Sequence, residues 1–439
     1  MNTFEQLRKE HPLFIYHSYE LKEQSLTFHF QIDEFHFYPK WEFDRNYMYG
    51  HFSCKQLEAA AFSLGMAELV SYWKCACCPT VEIRCGGLSG RQKSWWKKLY
   101  FNGLGEFFYR NNIDADFDSF MTIIAPEPEP LPEIHANLKG ALVPVGGGKD
   151  SVVTLELLKQ AGEEITPYII NPRKATTGCV EAAEIPPEKA VCPKRTIDKT
   201  LLELNARGWL NGHTPFSAVV AFSALLHGIM LNVRYIVLSN ESSANESYVE
   251  GKEINHQYSK STEFEKDFRE YCAESFGECP EYFSLLRPLS EWQIARAFVN
   301  YPRYFPVFQS CNLGGKTDVW CCNCAKCLYV YILLAAFLDD ETLVKIFGEN
   351  MLEKTELAEM FDGLILDGED KPFECVGTKN EVRLSLKNAL ERRRANTPPL
   401  LKRFEEHFPN YQPVDLTTFF DENNFVPDRF VKLVKGLAK

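Results

Sequence analysis

The chain has 439 residues, 45% of them hydrophobic, and a formal net charge of −12 at pH 7. That length allows a large core spread over roughly two or three domains. The acidic balance excludes a general nucleic-acid footprint, which shows first as a basic surface. The longest apolar run, Leu328–Leu338, is too short to span a bilayer, so no membrane partner is expected. The polar, charged N-terminus carries no cleavable signal, and the 15 cysteines include adjacent and CxxC-spaced ones. This usage points to reduced thiols or metal ligands in a cytoplasm rather than to a disulfide framework.

Residues 1–125 read as an aromatic-rich α+β domain. Leu26, Phe28 and Phe30 alternate with polar neighbours, as do Phe35 and Phe37, which predicts short strands over Tyr19–Phe43. A helix is predicted over Gln56–Lys74. Cys75, Cys77, Cys78 and Cys85 read as ordinary thiols, with a second metal site as the alternative if the chain folds them together. Residues 90–109 mix cations with Trp95 and Trp96. An amphipathic helix with its indoles in the core is favoured there over a cationic surface able to dock a uridine diphosphate. The alternating prolines from Pro126 to Pro132 mark a boundary, and 126–137 reads as an extended linker.

Residues 138–330 alternate strand and helix. Ala141, Leu142, Val143 and Val145 lead into Gly146, Gly147, Gly148, Lys149, Asp150 and Ser151, followed by a helical run over Val152–Gln160. A strand, a tight loop and a helix start in that order favour anions, because first-turn amides have no internal acceptors. Glycines let backbone approach a phosphate closely. Lys149 can add a positive charge, Asp150 can hold a magnesium ion on the phosphates, and Ser151 offers a hydroxyl. An ordinary glycine turn is the alternative.

Glu164–Asn171 predicts a second strand, Pro187–Leu204 is mixed, Phe216–Leu231 is an apolar helix, Arg234–Ser239 a buried strand and Leu285–Pro288 a short one. The expected fold class is therefore α/β, a mainly parallel sheet with helices on both faces and ligands at the carboxyl ends of its strands. The loop after Leu238 carries Asn240, Glu241, Ser242 and Asn245. A second polar stretch, Ile254–Ser261, carries His256, a candidate for proton transfer, and Lys260. Solvated loops and a structural histidine are the alternatives.

Cys311, Cys321, Cys324 and Cys327 form the second strong motif. CxxC turns set thiolates on one side of a metal, and a distal fourth completes a closed tetrahedral set, so structural zinc is expected with iron–sulfur as the rival. Cys322 breaks the repeat. Residues 331–439 read as helical, with amphipathic stretches over Glu341–Phe347, Met351–Phe361 and Glu381–Ala395 and an irregular tail from Phe408. Cys375, in the loop Lys371–Thr378, could carry protons in a carbon-acid reaction; an inert thiol is the alternative.

The glycine loop resembles the PP-loop of the N-type ATP pyrophosphatases, HUP-like α/β proteins that split ATP into AMP and pyrophosphate while adenylating a substrate. Gly146 stands where that family has its first Ser. A PP-loop followed by four such cysteines, with Leu286–Ser290 before them, also resembles the deazaguanine synthases. The whole chain is more similar to the ATP-dependent UDP-N-acetylmuramoyl-L-alanyl-L-glutamate epimerases. That likeness is carried by Gly146–Ser151, Ser239–Asn245, Asn255–Ser261, Trp320–Cys327, Lys371–Thr378, Leu64–Met66 and Ser71–Lys74.

The resemblance implies inversion of the terminal L-Glu of a UDP-linked muramoyl dipeptide, with ATP and magnesium consumed. An α-hydrogen beside a free carboxylate is a very weak acid; adenylating the carboxylate removes its charge and lets the carbanion delocalise. It further implies that Gly146–Ser151, Asn171, Asn240, Ser242 and Asn245 hold the nucleotide and that Asp150 holds magnesium. Asn240, Glu241, His256, Lys260 and Cys375 would line the reacting end, with the base unassigned. The competing readings are a deazaguanine-type amide- or nitrile-forming ligase and a nucleotide-binding regulatory module. Oligomeric state is not set by the sequence.

Overall fold

The computed structural model describes residues 3–44, 53–132, 137–246, 255–369 and 371–438. Residues 133–136 of the expected linker and Ile254 of the expected polar stretch lie outside them. The described strands are β1 (Leu13–Lys22), β2 (Ser25–Ile32), β3 (Phe35–Phe37), β4 (Lys40–Glu42), β5 (Thr80–Ile83), β6 (Thr122–Ile124), β7 (Ala141–Pro144), β8 (Ile165–Tyr168), β9 (Lys194–Thr196), β10 (Tyr235–Leu238) and β11 (Glu281–Ser284). With the helices between them, they make the chain α/β. Packing groups the chain into two units, each assembled from three stretches. The first takes Met1–Leu142, Val191–Ile236 and Gln257–Tyr282; the second takes Val143–Ala190, Val237–His256 and Phe283–Lys439.

The first unit holds a mixed sheet in the order β6-β5-β1-β2-β4-β9, with β3 beside β2. Its β1–β5 and β5–β6 pairs are parallel and its β1–β2 pair is antiparallel. The period-2 pattern of β2 is realised directly: Leu26, Phe28, Phe30 and Ile32 are all buried. The helix Cys54–Trp73 starts on a Ser53–Gln56 capping box and is buried almost all round from Gln56 onward. Gly65 lets it sit close to the sheet, since a Cβ there would lie within 2.8 Å of both Tyr16 and Phe28. Within it the buried Glu68 accepts from Trp41 Nε1 at 2.9 Å and from Arg195 Nε at 2.6 Å.

The helix Gly90–Gly103 buries Trp96 in the core, as the amphipathic reading expects, and Trp95 Nε1 donates to Asp267 O at 2.7 Å. The proline segment is tied down rather than free. Leu88 N donates to Pro126 O at 2.9 Å and Gln56 Nε2 to Pro132 O at 2.8 Å. Cys75, Cys77 and Cys78 are buried, and Cys77 Sγ donates to Lys74 O at 3.3 Å.

A second sheet runs in the order β11-β10-β7-β8, with β10 parallel to β7. Three elements depart from the sequence reading. The strand expected at Leu285–Pro288 is Glu281–Ser284; 285–288 is a turn in which Leu289 N donates to Leu286 O at 2.9 Å. Pro288 has no N–H for a ladder, whereas Tyr282 and Phe283 supply the buried pair. Met351–Phe361 is not one helix: 3-10 turns at Met351–Glu353 and Thr355–Leu357, the first capped by the Asn350 side chain, precede a helix over Ala358–Ile365. The tail from Phe408 contains a helix, Asp428–Lys435, whose Phe430 and Val434 are buried on one face. Among the described residues no helix is long and apolar enough to cross a membrane.

Candidate active site

The glycine loop and the charged groups around it belong to the second unit. β7 delivers the chain to Gly146–Gly148, and the helix Lys149–Gln160 starts on Gly148 with no side chain capping its first-turn amides. Gly147 has φ +85, and a Cβ there would sit 3.0 Å from Ala175, so both backbone and space demand glycine. Gly146 differs. A Cβ there would meet nothing within 4 Å, so no steric reason keeps serine out. Ser151 Oγ donates to Gly148 O at 2.9 Å, closing the turn.

Lys149 is buried, and its Nζ bridges Asp150 Oδ1 and Glu291 Oε2. Glu291 opens the helix Glu291–Phe298, which follows the turn after β11. Burial opposes the Lys149 charge, but Asp150 and Glu291 outweigh it and hold the ammonium above its ordinary range. Burial pushes the Glu291 carboxyl up to about 8; Lys149 pulls it down, while Asp150 and Glu241 add to the rise. With Asp150 also on Lys149, the ammonium stays charged, and Glu291 gives up its proton less readily than an ordinary carboxyl.

Two further carboxylates and two cations close the cluster. Glu381, buried at the start of the helix Lys379–Arg392, accepts from Glu291 N and Thr378 N at 2.7 Å each. Burial raises its carboxyl, and those two backbone donors pull it back. Glu241, in the loop after β10, accepts from Ser243 Oγ at 3.2 Å, and its carbonyl accepts from the buried Arg287 Nη1 at 2.6 Å. Lys326 Nζ donates to Cys375 O and lies 5.3 Å from the centre of the Tyr329 ring. The Tyr329 hydroxyl is buried without a hydrogen-bond partner among the described residues. A Cβ on Gly377 would come within 2.5 Å of Tyr329 Oη and Glu381 Oε2, so this wall is built around a glycine.

The sulfurs of Cys311, Cys321, Cys324 and Cys327 all lie within 4.8 Å of one another, with Cys321 and Cys327 3.6 Å apart. A tetrahedral zinc–thiolate set, with bonds of about 2.3 Å, needs sulfurs about 3.8 Å apart, so the donors fit. Backbone amides of Gly314 and Cys327 donate to Cys311 and Cys324 at 3.1 and 3.4 Å. Cys322 turns away and donates to Phe347 O at 3.2 Å.

A family model of the MurL N-terminal domain matches residues 5–285, and one of the MurL C-terminal domain matches residues 307–418. The chain belongs to the MurL family. A UDP-N-acetyl-alpha-D-muramoyl-L-alanyl-L-glutamate epimerase of Xanthomonas oryzae pv. oryzae is 35% identical over 79% of this chain and 78% of its own. One from a Micromonospora species is also 35% identical, over 77% and 76%, and one from Salinispora tropica is 37% identical over 66% and 64%. This member of the MurL family is accordingly an enzyme, an epimerase and thus an isomerase.

The MurL-family chain brings together Gly146–Ser151, Glu241 and the backbone of Cys375 around the Lys149–Glu291 pair. Asn240 Nδ2 donates to Ser284 Oγ at 3.0 Å, at the ends of β10 and β11, and Asn245 Nδ2 to Ser242 O at 3.1 Å. Both amides thereby shape the loop. Asn171, three residues past β8, has φ +52. His256 stacks edge-on with Phe373, ring centres 6.2 Å apart. Lys260 belongs to the first unit, where its Nζ donates to Gln257 Oε1 at 3.2 Å.

Sequence reasoning missed Glu291, Glu381, Lys326 and Tyr329, and met Arg287 only as part of a quoted stretch. Ser290-x-x-Gln293 and Thr378-x-x-Glu381 are legible as capping boxes. That Glu381 also caps Glu291 is a contact across 90 residues with no local signal.

Proposed function

We propose that this epimerase inverts the α-carbon of the terminal L-glutamate of UDP-N-acetylmuramoyl-L-alanyl-L-glutamate to give the D-glutamyl product, in peptidoglycan synthesis, with ATP and magnesium consumed and AMP and pyrophosphate released. The carrying observation is the uncapped helix start behind Gly146–Gly148 with Lys149 and Asp150 on its first turn. Free first-turn amides of this kind suit a polyphosphate. The named epimerase relatives support the substrate.

When bound, ATP supplies an adenylyl group that removes the charge of the carboxylate next to the α-carbon and so acidifies the α-hydrogen. The chain's own groups prepare for that event. The first-turn amides would bind phosphate oxygens, the open space at Gly146 leaves room for them, and the buried Lys149 ammonium would add positive charge behind them. Asp150 would hold magnesium, an ion commonly bound by one or two carboxylates together with phosphate oxygens. Glu291 and Glu381 keep Lys149 and the facing helix starts in place. A carboxyl held near neutrality, as Glu291 is, suits proton exchange better than an ordinary one. The four cysteines would hold a closed structural zinc, with no open position for substrate. The cysteine usage favours a cytoplasmic location.

The test is substrate-dependent pyrophosphate release together with exchange of the glutamyl α-hydrogen in deuterated water. Both are expected with the muramoyl dipeptide nucleotide. Pyrophosphate release without exchange would point instead to a ligase, and ATP binding without release to a regulatory module.

A further inference from the structure

In the second unit a cleft of about 560 Å³ opens beside the glycine loop, walled by Ala175, Phe305, Phe308, Gln309, Trp320 and Phe347. Its wall is tied to that loop: Gln309 N donates to Gly147 O at 2.8 Å, and a Cβ on Gly148 would lie 3.3 Å from Ser310. Its size falls in the range of small-molecule sites. The wall is aromatic. Trp320 is half-buried, with its ring centre 5.4 Å from Phe308 and 4.6 Å from Phe347. Lys174 and Lys345 stand at the rim, with Asp318 4.0 Å from Lys174.

The Gln309 side chain is the unusual member. It is 6% exposed, yet its Nε2 has no hydrogen-bond partner among the described residues. Buried amides are almost always paired, because an unmet donor keeps its full desolvation penalty. An amide in an aromatic wall next to a phosphate-binding loop has the chemistry of a base reader: a flat ring for stacking and an acceptor for the donor.

We propose that this cleft holds the planar base of a nucleotide, packed on the Trp320–Phe308 wall and hydrogen-bonded by the Gln309 amide. The inference rests on the function proposed above, which supplies two sources of such a base: the adenine of ATP and the uracil of the UDP-linked substrate. Both present acceptors at the ring edge.

The test is calorimetric titration of the full chain with ATP, UDP and inorganic tripolyphosphate. Gln309→Met keeps the volume and removes the amide; Phe305→Ala, at a half-buried wall position, is the second variant. Either variant is expected to bind one nucleotide about tenfold more weakly while tripolyphosphate binding is unchanged. A loss confined to ATP assigns adenine, and one confined to UDP assigns uracil. Unchanged affinity for both nucleotides overturns the proposal, as does an equal loss for tripolyphosphate, which would mean that only the loop was disturbed. A wild-type chain that binds neither nucleotide overturns the functional reading itself.

Discussion

Lys149 and Glu291, 142 residues apart in sequence, form a buried hydrogen-bonded pair at the start of two helices, with Asp150 as the second partner of the ammonium. Removing one side of such a pair strands a charge and typically costs about 3–5 kcal/mol. Lys149→Met is therefore expected to destabilise the chain strongly, because Asp150 and Glu291 would face each other. Glu291→Gln, which leaves Asp150 on Lys149, is expected to cost less. Denaturant unfolding of the two variants checks the order.

The same pair sets a pH dependence. The Glu291 carboxyl rises from an ordinary 4.5 to about 8 in the folded chain, first through burial. Between those values the folded state holds a proton that the unfolded state has released. The stability from this group is full below about pH 4.5 and lost as pH rises through about 8. Wild type should therefore lose stability relative to Glu291→Gln across that window. Melting temperatures of both proteins from pH 5 to 9 measure it; parallel curves would remove the assignment.

Asp150 is expected to matter through the metal rather than through folding. It sits on the first turn of its helix, with its side chain 27% accessible. Asp150→Asn should keep the fold and lower ATP-dependent turnover on the order of 100-fold. Pyrophosphate release at saturating magnesium is the measurement, and full turnover would sink the role.

The glycines of the loop should separate by position. Gly147→Ala forces a Cβ to φ +85 and against Ala175, and is expected to destabilise by about 1–2 kcal/mol and to abolish activity. Gly146→Ser has open space and should fold as wild type. Thermal unfolding and turnover of the two variants compare them.

For the cysteines, metal analysis of the purified chain is expected to give one zinc, lost in Cys324→Ser and kept in Cys322→Ser, whose thiol points to Phe347 O. Iron with labile sulfide would replace zinc by a cluster. Chelation should lower the melting temperature of wild type.

What was legible in the sequence was local. Three glycines before Lys-Asp-Ser predict a tight loop and a helix start, and the helix Lys149–Gln160 begins on Gly148. The helix Phe216–Leu231 has the predicted bounds because its apolar run is bounded by Pro215 and by Asn232, which adopts the left-handed conformation. Four cysteines at metal spacing predict convergent sulfurs, and they converge. The misplacements were also local, where capping by Asn350 or the missing amide of Pro288 overrode an apolar pattern.

The tertiary structure alone decided which carboxylates gather around the Lys149–Glu291 pair. Glu291, Glu241 and Glu381 sit on segments far apart in the chain, and each looks like an ordinary helix-start or loop residue in its own neighbourhood. Burial then gives them their character: removing water raises Glu291 and Glu381 and makes the pairing with Lys149 strong. Sequence fixes which groups are available along one stretch of backbone; the fold sets their distances and the dielectric between them, and those two quantities determine their chemistry.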